Sequence, residues 1–352
     1  MPVLVARALA LVCAVLFAAL GLVLSAGHGA AAEKIVVATA RTMSDAGLYM
    51  ARDKGFFAQE GLEVELVAFD SATKMIFPLG RGDLDVGGGT VSAGLYNAVS
   101  RGIKLRIVAD KGSIKPGYAY AGLVIRKDLM DSGRYRTLAD LAGLRIAVVG
   151  RGTSNASALN EALKHGGRSW KDATPVELSF SQMVVGLRNK AIDGAMMNEP
   201  NISQVAAEGI GLKAADYNDF YPGQQTAALI YSEKFATERR AAAQGFTRAY
   251  IKGIRFYFDS LKDGRIAGSN AKEVIDILVN NTGIADRSIY ENLAPSGVDP
   301  DGRLSTGSLR NDLIMYKDDQ LIDDPKMTVE DILDTSFVED ALLKIGEINP
   351  KR

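Results

Sequence analysis

The sequence predicts an α/β fold divided into two lobes, and three observations predict it. Beyond residue 33, short apolar runs alternate with helix-patterned stretches, the arrangement of an α/β protein on a mostly parallel sheet. One strand–turn–helix unit then occurs twice. Arg145 to Gly166 (RIAVVGRGTSNASALNEALKHG) repeats Lys34 to Gly55 (KIVVATARTMSDAGLYMARDKG) at an offset of 111 with no gap. Lys34 falls on Arg145, Ile35 on Ile146, Val37 on Val148, Thr42 on Thr153, Leu48 on Leu159 and Gly55 on Gly166. Finally, the echo continues. Val176 to Phe180 repeats Val64 to Phe69 at an offset of 112, and Leu187 to Pro200 repeats Leu79 to Ser92 at 108, setting Asp85 on Asp193. Each half is its own small lobe, and the two can face each other across one cleft.

Taken in order, Ile35 to Ala38 is a short apolar strand rich in β-branched residues, and Ala46 to Ala58 a helix closing near Gly55. Leu62 to Phe69 is a second strand, Thr73 to Arg81 is helical, and Leu84 to Gly87 is a strand running into Gly88-Gly89-Thr90. A helix follows at Ser92 to Arg101, then a strand at Leu105 to Ala109. Lys111 to Gly117, with its Gly, Ser and Pro, reads as a boundary. Tyr118 to Arg126 is strand-like, and Leu138 to Leu141 makes a helical turn. In the second unit a strand (Ile146 to Val149) passes through a Gly-Arg-Gly turn into a helix. Thr153, Ser154 and Asn155 stand at its start, and Gly166 and Gly167 end it. Tyr217 to Gly223 is a second boundary, and Thr226 to Tyr231 a strand. Arg239 to Leu261, Ala271 to Val279 and Val329 to Ile345 have apolar residues at helical spacing.

Composition narrows the chemistry. The 352 residues suffice for two domains, and 47% hydrophobic with 24% charged is ordinary for a globular protein. A net charge of −1 argues against a nucleic-acid partner. Arg7 is the only charge before Glu33, Ala8 to Leu24 is unbroken apolar sequence, and Ala30-Ala31-Ala32 follows. That is the layout of a signal peptide cut after Ala32; the alternative is an uncleaved membrane anchor. Cleavage removes Cys13 and His28. The mature chain then has no cysteine and a single histidine, His165, with 40 basic against 42 acidic residues. Thiol chemistry, disulfides and His/Cys metal sites are excluded on those grounds. His165 itself suits the C-terminal end of its helix dipole.

Four blocks carry a resemblance: AGLYMARDKGFFAQEGLEVELV (46–67), LGRGDLDVGGGTVSAGLYNAVSRGIKLRIVAD (79–110), TLADLAGLRIAVVGRGTS (137–154) and LRNKAIDGAMMNEP (187–200). Together they resemble the nitrate/sulfonate/taurine-type solute-binding proteins of ABC importers, a family that also contains proteins similar to thiamine-pyrimidine synthase. The resemblance implies a type II periplasmic binding protein fold, each lobe a mixed sheet flanked by helices, with two hinge crossings. Residues 33–120 and 226–352 would form the first lobe and 121–225 the second. A small-molecule ligand would be trapped by hinge closure and delivered to a permease and its ATPase. Such a carrier would be monomeric and periplasmic, uninserted in the membrane once the signal is cut, with no cofactor, metal or catalytic residue.

Open α/β sheets bind ligands beyond the carboxyl ends of their strands, so the duplication nominates four places. Arg41 and Thr42 follow the first strand, and Gly88, Gly89 and Thr90 the third. Their echoes are Thr153, Ser154 and Asn155, then Asn198 and Glu199. Thr153 to Asn155 can cradle an anionic group or simply cap a helix. The glycines allow close approach of a solute or only a tight turn. Pro200 at a first helical position would put Glu199 at the cap, facing a ligand's donor group or stabilising its own helix. Arg41 can fork onto a sulfonate or carboxylate, or lie on the surface. Tyr118 and Tyr120, at the first crossing, read as packing before cleft lining. The ligand expected is a small organic anion or zwitterion; the rivals are a pyrimidine-synthase-like enzyme and a ligand sensor for a membrane receptor.

Overall fold

The structure, a computed structural model, describes residues 31–118 and 120–348. The expected signal peptide at 1–32 lies outside these residues except for its last two positions.

Two five-stranded sheets organise the chain. The first holds β1 (Glu33–Thr39), β2 (Leu62–Ala68), β3 (Val86–Gly89), β4 (Leu105–Ser113) and β10 (Gln225–Ser232), in the order β2-β1-β3-β10-β4. The second holds β5 (Ala121–Arg126), β6 (Arg145–Val148), β7 (Thr174–Glu177), β8 (Gly194–Asn198) and β9 (Gly211–Asp216), in the order β7-β6-β8-β5-β9. The orders are the same, position for position. In each, an inner pair is parallel, with Val37 opposite Val86 and Ile146 opposite Gly194. In each, the fourth strand runs antiparallel to both neighbours. Both sheets are therefore mixed, as the resemblance implied and the strand–helix alternation alone did not. The antiparallel strand is the one nearest a crossing: β5 follows the passage out of the first sheet, and β10 follows the return. Neither arrives through the right-handed strand–helix–strand connection that makes neighbours parallel.

The echo is present, but it is not gapless. Val37 and Ile146 hold the same place in their sheets, an offset of 109, whereas Thr42 and Thr153 both precede their helices at an offset of 111. The second turn is two residues longer. A slip of two leaves every strand side chain on the same face, so the apolar pattern cannot reveal it.

The helices that frame the site and its supports are α1 (Ala46–Asp53), α2 (Ala93–Ser100), α3 (Ser154–His165), α4 (Phe180–Arg188), α5 (Asn201–Ala207), α6 (Arg240–Phe258), α7 (Thr306–Asp318) and α8 (Ser336–Ile345), with a further helix at Ala271–Thr282. Several expected bounds shift for local reasons. Gly55, at φ 73°, separates α1 from a short helix at Phe56–Gln59. The Ser179 side chain accepts from Gln182 N, so the chain turns into α4 where the sequence pattern predicts a strand to Phe180. The helix expected from Val329 starts only at Ser336. Thr328 N and Oγ1 both donate to Asp331 (2.7 and 2.8 Å), a side-chain turn that competes with the helix. The helix α7 has no counterpart among the expected elements.

One large apolar core runs through both sheets and their helices, with a smaller cluster around Met183, Leu187, Ile202 and Val205. The helices α1 and α6 cross closely. A side chain at Gly253 would sit 2.3 Å from the Gly47 carbonyl, so the contact requires glycine. Facing this crossing, α6 buries Phe246, Tyr250, Ile254 and Tyr257 at helical spacing, each contributing about 1.5–3 kcal/mol. Among the described residues, no helix is long and apolar enough to cross a membrane.

Candidate functional site

Between the two sheets lies a polar cavity of about 40 Å³. Water needs roughly 10–15 Å³, so this space admits a group about the size of three waters. It is lined from the first sheet's side by Thr42, Ser44, Gly89, Thr90 and Lys111, and from the second's by Ser154, Asn155 and Asn198. Thr226, where the chain returns, completes the wall. Of the residues nominated from sequence, Thr42, Gly89, Thr90, Ser154, Asn155 and Asn198 meet here.

The two sides are hydrogen-bonded to each other. Thr90 Oγ1 donates to Ser154 Oγ at 2.8 Å and accepts from Ser154 N at 3.1 Å. Ser154 Oγ donates onward to the Thr226 carbonyl at 3.0 Å. Backbone bonds Ala93 N to Gly152 O (2.8 Å) and Met43 N to Glu199 O (3.1 Å) span the same gap. The lobes are thus closed. The first turn of α3 supplies Ser154 and Asn155 because the long turn after β6 delivers it to the carboxyl ends of the strands. Asn155 Nδ2 reaches Tyr217 Oη at 3.3 Å. Asn198 Oδ1, at the end of β8, is buried without a hydrogen-bond partner, an acceptor left for something in the cavity.

Lys111 is the feature that sequence reasoning missed. It is 2% exposed, in β4, with its ammonium 2.8 Å from Asp45 Oδ1 and donating to Ser44 Oγ at 2.7 Å. Asp45 in turn accepts from Thr42 N at 2.9 Å, and Thr42 and Ser44 share a bond at 2.8 Å. A charged, hydroxyl-rich floor results, with the lysine's charge balanced in place. The boundary expected at Lys111 to Gly117 therefore begins inside a strand. Two register shifts, where β4 spends two residues on one of β10, break the alternation that would have marked the strand beyond Ala109.

Gly88 and Gly89 are strand residues, not a turn. A side chain on Gly88 would meet Lys111 Cε at 2.7 Å, and one on Gly89 would meet Ala72 Cβ at 2.4 Å. Gly88 makes room for the lysine stem rather than for a solute, and it lies outside the cavity wall. Thr153 also stands outside, its hydroxyl donating to the Gly150 carbonyl at 2.6 Å. Arg41 is exposed, at φ 54°, along a depression that adjoins the cavity through Ala40, Asp70 and Phe180, but it does not line the cavity itself. Glu199 is buried, but its carboxylate is occupied by Ser203 N and Ser203 Oγ, both at 2.9 Å. The helix α5 begins at Asn201, with Pro200 at its cap, one position later than expected. Burial pushes the Glu199 carboxyl above its ordinary range while the Ser203 bonds pull it back. Its side chain serves the helix start; its backbone carbonyl, through Met43 N, serves the closure. Tyr120 is buried, its hydroxyl hydrogen-bonded to Thr226 Oγ1, so it packs and ties rather than lines the space. No group of His, Cys, Asp and Glu suited to a metal occurs among the described residues.

Residues 43–260, more than half of the chain, match the model of a family described as NMT1/THI5 like. A Brucella abortus protein provisionally named a binding protein is 25% identical over 230 residues, 65% of each chain, so the match spans less than two thirds of that relative. The fold is similar to that of the periplasmic nitrate-binding protein NrtA from Synechocystis, with a TM-score of 0.71, 15% identity, and 90% and 89% of the two chains covered. The alkanesulfonate-binding protein SsuA from Xanthomonas axonopodis, bound to MOPS, gives 0.66 at 18% identity, covering 85% and 97%. A desulfurization enzyme, DszB, gives 0.60 at 15%, covering 88% and 99%. Likenesses this low in identity establish the shared two-lobed α/β fold.

Proposed function

We propose, since this chain belongs to the NMT1/THI5-like family, that it is the solute-binding component of an ABC importer. It closes on a small organic anion or zwitterion between its lobes and releases it unchanged to a permease and its ATPase. One observation carries the reading: Thr90 and Ser154, one from each lobe, hydrogen-bond to each other in the wall of a polar cavity. That cavity offers what the charged group of a small zwitterion needs. Lys111 and the Thr42–Ser44 hydroxyl pair supply donors, and Asn198 Oδ1 supplies an unused acceptor. The lobes correspond to 33–120 with 226–352, and to 121–225, with hinges where the chain passes between sheets. Export behind a cleaved 1–32 segment would place the carrier in the periplasm as a monomer.

The test is a thermal-shift panel of sulfonates, taurine, nitrate, pyrimidines and aromatic carboxylates on the mature chain. A ligand present at a hundredfold over its Kd adds about 2.7 kcal/mol of stability, a plain rise in Tm. A panel in which nothing raises the Tm of the wild type removes the reading.

The likeness to DszB favours a second reading, an enzyme on the same fold. Among the hydroxyls of this cavity, Ser44 is the one bonded to an amine, that of Lys111. Lys111, ion-paired to Asp45, donates to that hydroxyl instead of accepting from it, which leaves the serine unactivated. Turnover of biphenyl-2-sulfinic acid with loss of its sulfur would revive the enzyme.

A further inference from the structure

Asp312 is a buried carboxyl that neither the cavity nor the core uses. It lies in α7 and is 2% exposed. Its Oδ1 accepts from Ser157 Oγ and from Tyr221 Oη, both at 2.6 Å. Ser157 is one turn beyond Ser154 on α3, and Tyr221 leads into β10. The other oxygen, Oδ2, is buried with no partner. Gln224, fully buried, has its side chain within hydrogen-bonding reach of this carboxyl, and its Oε1 lacks a partner too. The Gln224 amide cannot simply turn over, because its Nε2 donates to the Ser154 carbonyl at 2.8 Å.

The surroundings hold no compensating charge. Glu161, on α3, is the charged group that acts on Asp312, and the titratable groups around it are Tyr96, Tyr217, Tyr221 and Tyr316. No ion pair to Asp312 occurs among the described residues. An ionised carboxylate here would have no cation beside it, and one buried oxygen would go without a protein donor.

We propose that Asp312 is held as the neutral acid while the lobes are closed, its proton on Oδ2, so that closure of the cleft takes up a proton. The proposal rests on the reading of the cleft as a trap that opens and shuts. The C-terminal end of α7 is fastened to the first lobe, through Tyr316 Oη to the Val91 carbonyl at 3.1 Å, and just beyond it Asn97 Nδ2 holds the Leu321 carbonyl at 2.8 Å. Opening draws Ser157 and α3 away from Asp312 and lets water reach it. Burial pushes the closed-state carboxyl up to about 7, against the lowering hydrogen bonds from Ser157 and Tyr221. A carboxyl raised on closure favours the closed form at low pH. That preference falls about tenfold per pH unit between the ordinary carboxyl range and 7, then levels off.

The test follows the unliganded mature chain from pH 5 to 9 by small-angle X-ray scattering and by carbon NMR of labelled aspartate carboxyls. The wild type should lose its compact form as pH rises to 7 and change little beyond. Its spectrum should contain a near-neutral carboxyl that is missing from Asp312→Asn, which should stay compact throughout. Tyr221→Phe removes a donor to the carboxylate, so its midpoint should move upward. That shift, read on a variant that keeps Asp312, decides the matter if Asp312→Asn does not fold. The same pH profile in Asp312→Asn as in the wild type overturns the proposal, as does an Asp312 carboxyl titrating near 4. Failure of the ligand panel with this titration intact would remove the cargo reading and leave the proton, so the two outcomes are distinguishable.

Discussion

Asp85 and Asp193 occupy one position twice. Asp85 Oδ2 accepts from Val36 N at 2.9 Å, its N–H donates to the Val36 carbonyl, and its own carbonyl accepts from Ser232 N. Asp193 Oδ2 accepts from Arg145 N at 2.9 Å, its N–H donates to the Arg145 carbonyl, and its carbonyl accepts from Arg126 N. Each aspartate thus fastens the starts of two parallel strands to the end of the antiparallel one. An arginine is recruited to each: Arg239 to Asp85 at 2.6 Å, and Arg145 with Arg126 to Asp193, both at 3.3 Å. This is the strongest sign in the structure that the two lobes are copies.

Asp193→Asn should therefore destabilise the second lobe by about 2 kcal/mol at neutral pH, the usual loss for hydrogen bonds to a charged group. Burial pushes the Asp193 carboxyl up, but the side-chain and backbone bonds from Arg145 and the nearby Arg126 outweigh it and hold it below the ordinary range. A depressed acid contributes stability above its unfolded value and loses it as pH falls through the folded one. The gap between wild type and variant should accordingly be full at pH 7 and close on acidification below about 4. Urea unfolding at a series of pH values checks it; a gap independent of pH would mean the charge is irrelevant.

Thr90→Val and Ser154→Ala each remove hydrogen bonds that join the two lobes, which on the proposed trap form on closure. Ligand affinity should fall about five- to tenfold for each, the worth of roughly 1 kcal/mol, with little change in the Tm of the unliganded protein. In the double variant the losses should add only in part, because the Thr90–Ser154 hydroxyl bond is common to both while Ser154 Oγ also holds the Thr226 carbonyl. Fully additive losses would show that the two residues act separately.

Glu199→Gln tests the opposite assignment. Its carboxylate holds Ser203, so the variant should lose about 1–2 kcal/mol of stability while keeping the ligand-induced rise in Tm. An abolished rise at unchanged stability would put the carboxylate on the ligand.

What can be seen in the sequence and what cannot divide along physical lines. The aspartate echo is visible because a buried strand-start carboxylate tolerates few substitutes, and so are Thr90, Ser154 and Asn198, because strand ends in an open α/β sheet face the cleft. The offset between strands is misjudged by two because a slip of two preserves the apolar face. Lys111 is invisible for another reason. Its burial is licensed by Asp45, 66 positions away in sequence, and by the bare face of Gly88. No local pattern records that a lysine has a partner across a fold. Glu199 misleads because a cleft carboxylate and a capping carboxylate look alike until the partner, Ser203, is placed.

The Lys111–Asp45 pair yields the last prediction, because two costs compete there. Lys111→Met leaves Asp45 buried without its cation and should cost about 3–5 kcal/mol in urea unfolding. Asp45→Asn strands the ammonium and should cost a similar amount. Lys111→Met combined with Asp45→Asn removes both charges, and the amide oxygen introduced by the second substitution can still accept from Thr42 N, so much of the loss should return. The combined variant then separates folding from binding. If Lys111 only balances Asp45, a protein that folds without either charge should respond to ligand as the wild type does. If its remaining N–H meets the anionic end of the ligand, the folded variant should bind at least tenfold more weakly to anions and zwitterions than the wild type, while a neutral solute is affected far less. The second outcome is the one expected, since Lys111 is the buried cation on a wall that also presents an unused acceptor at Asn198.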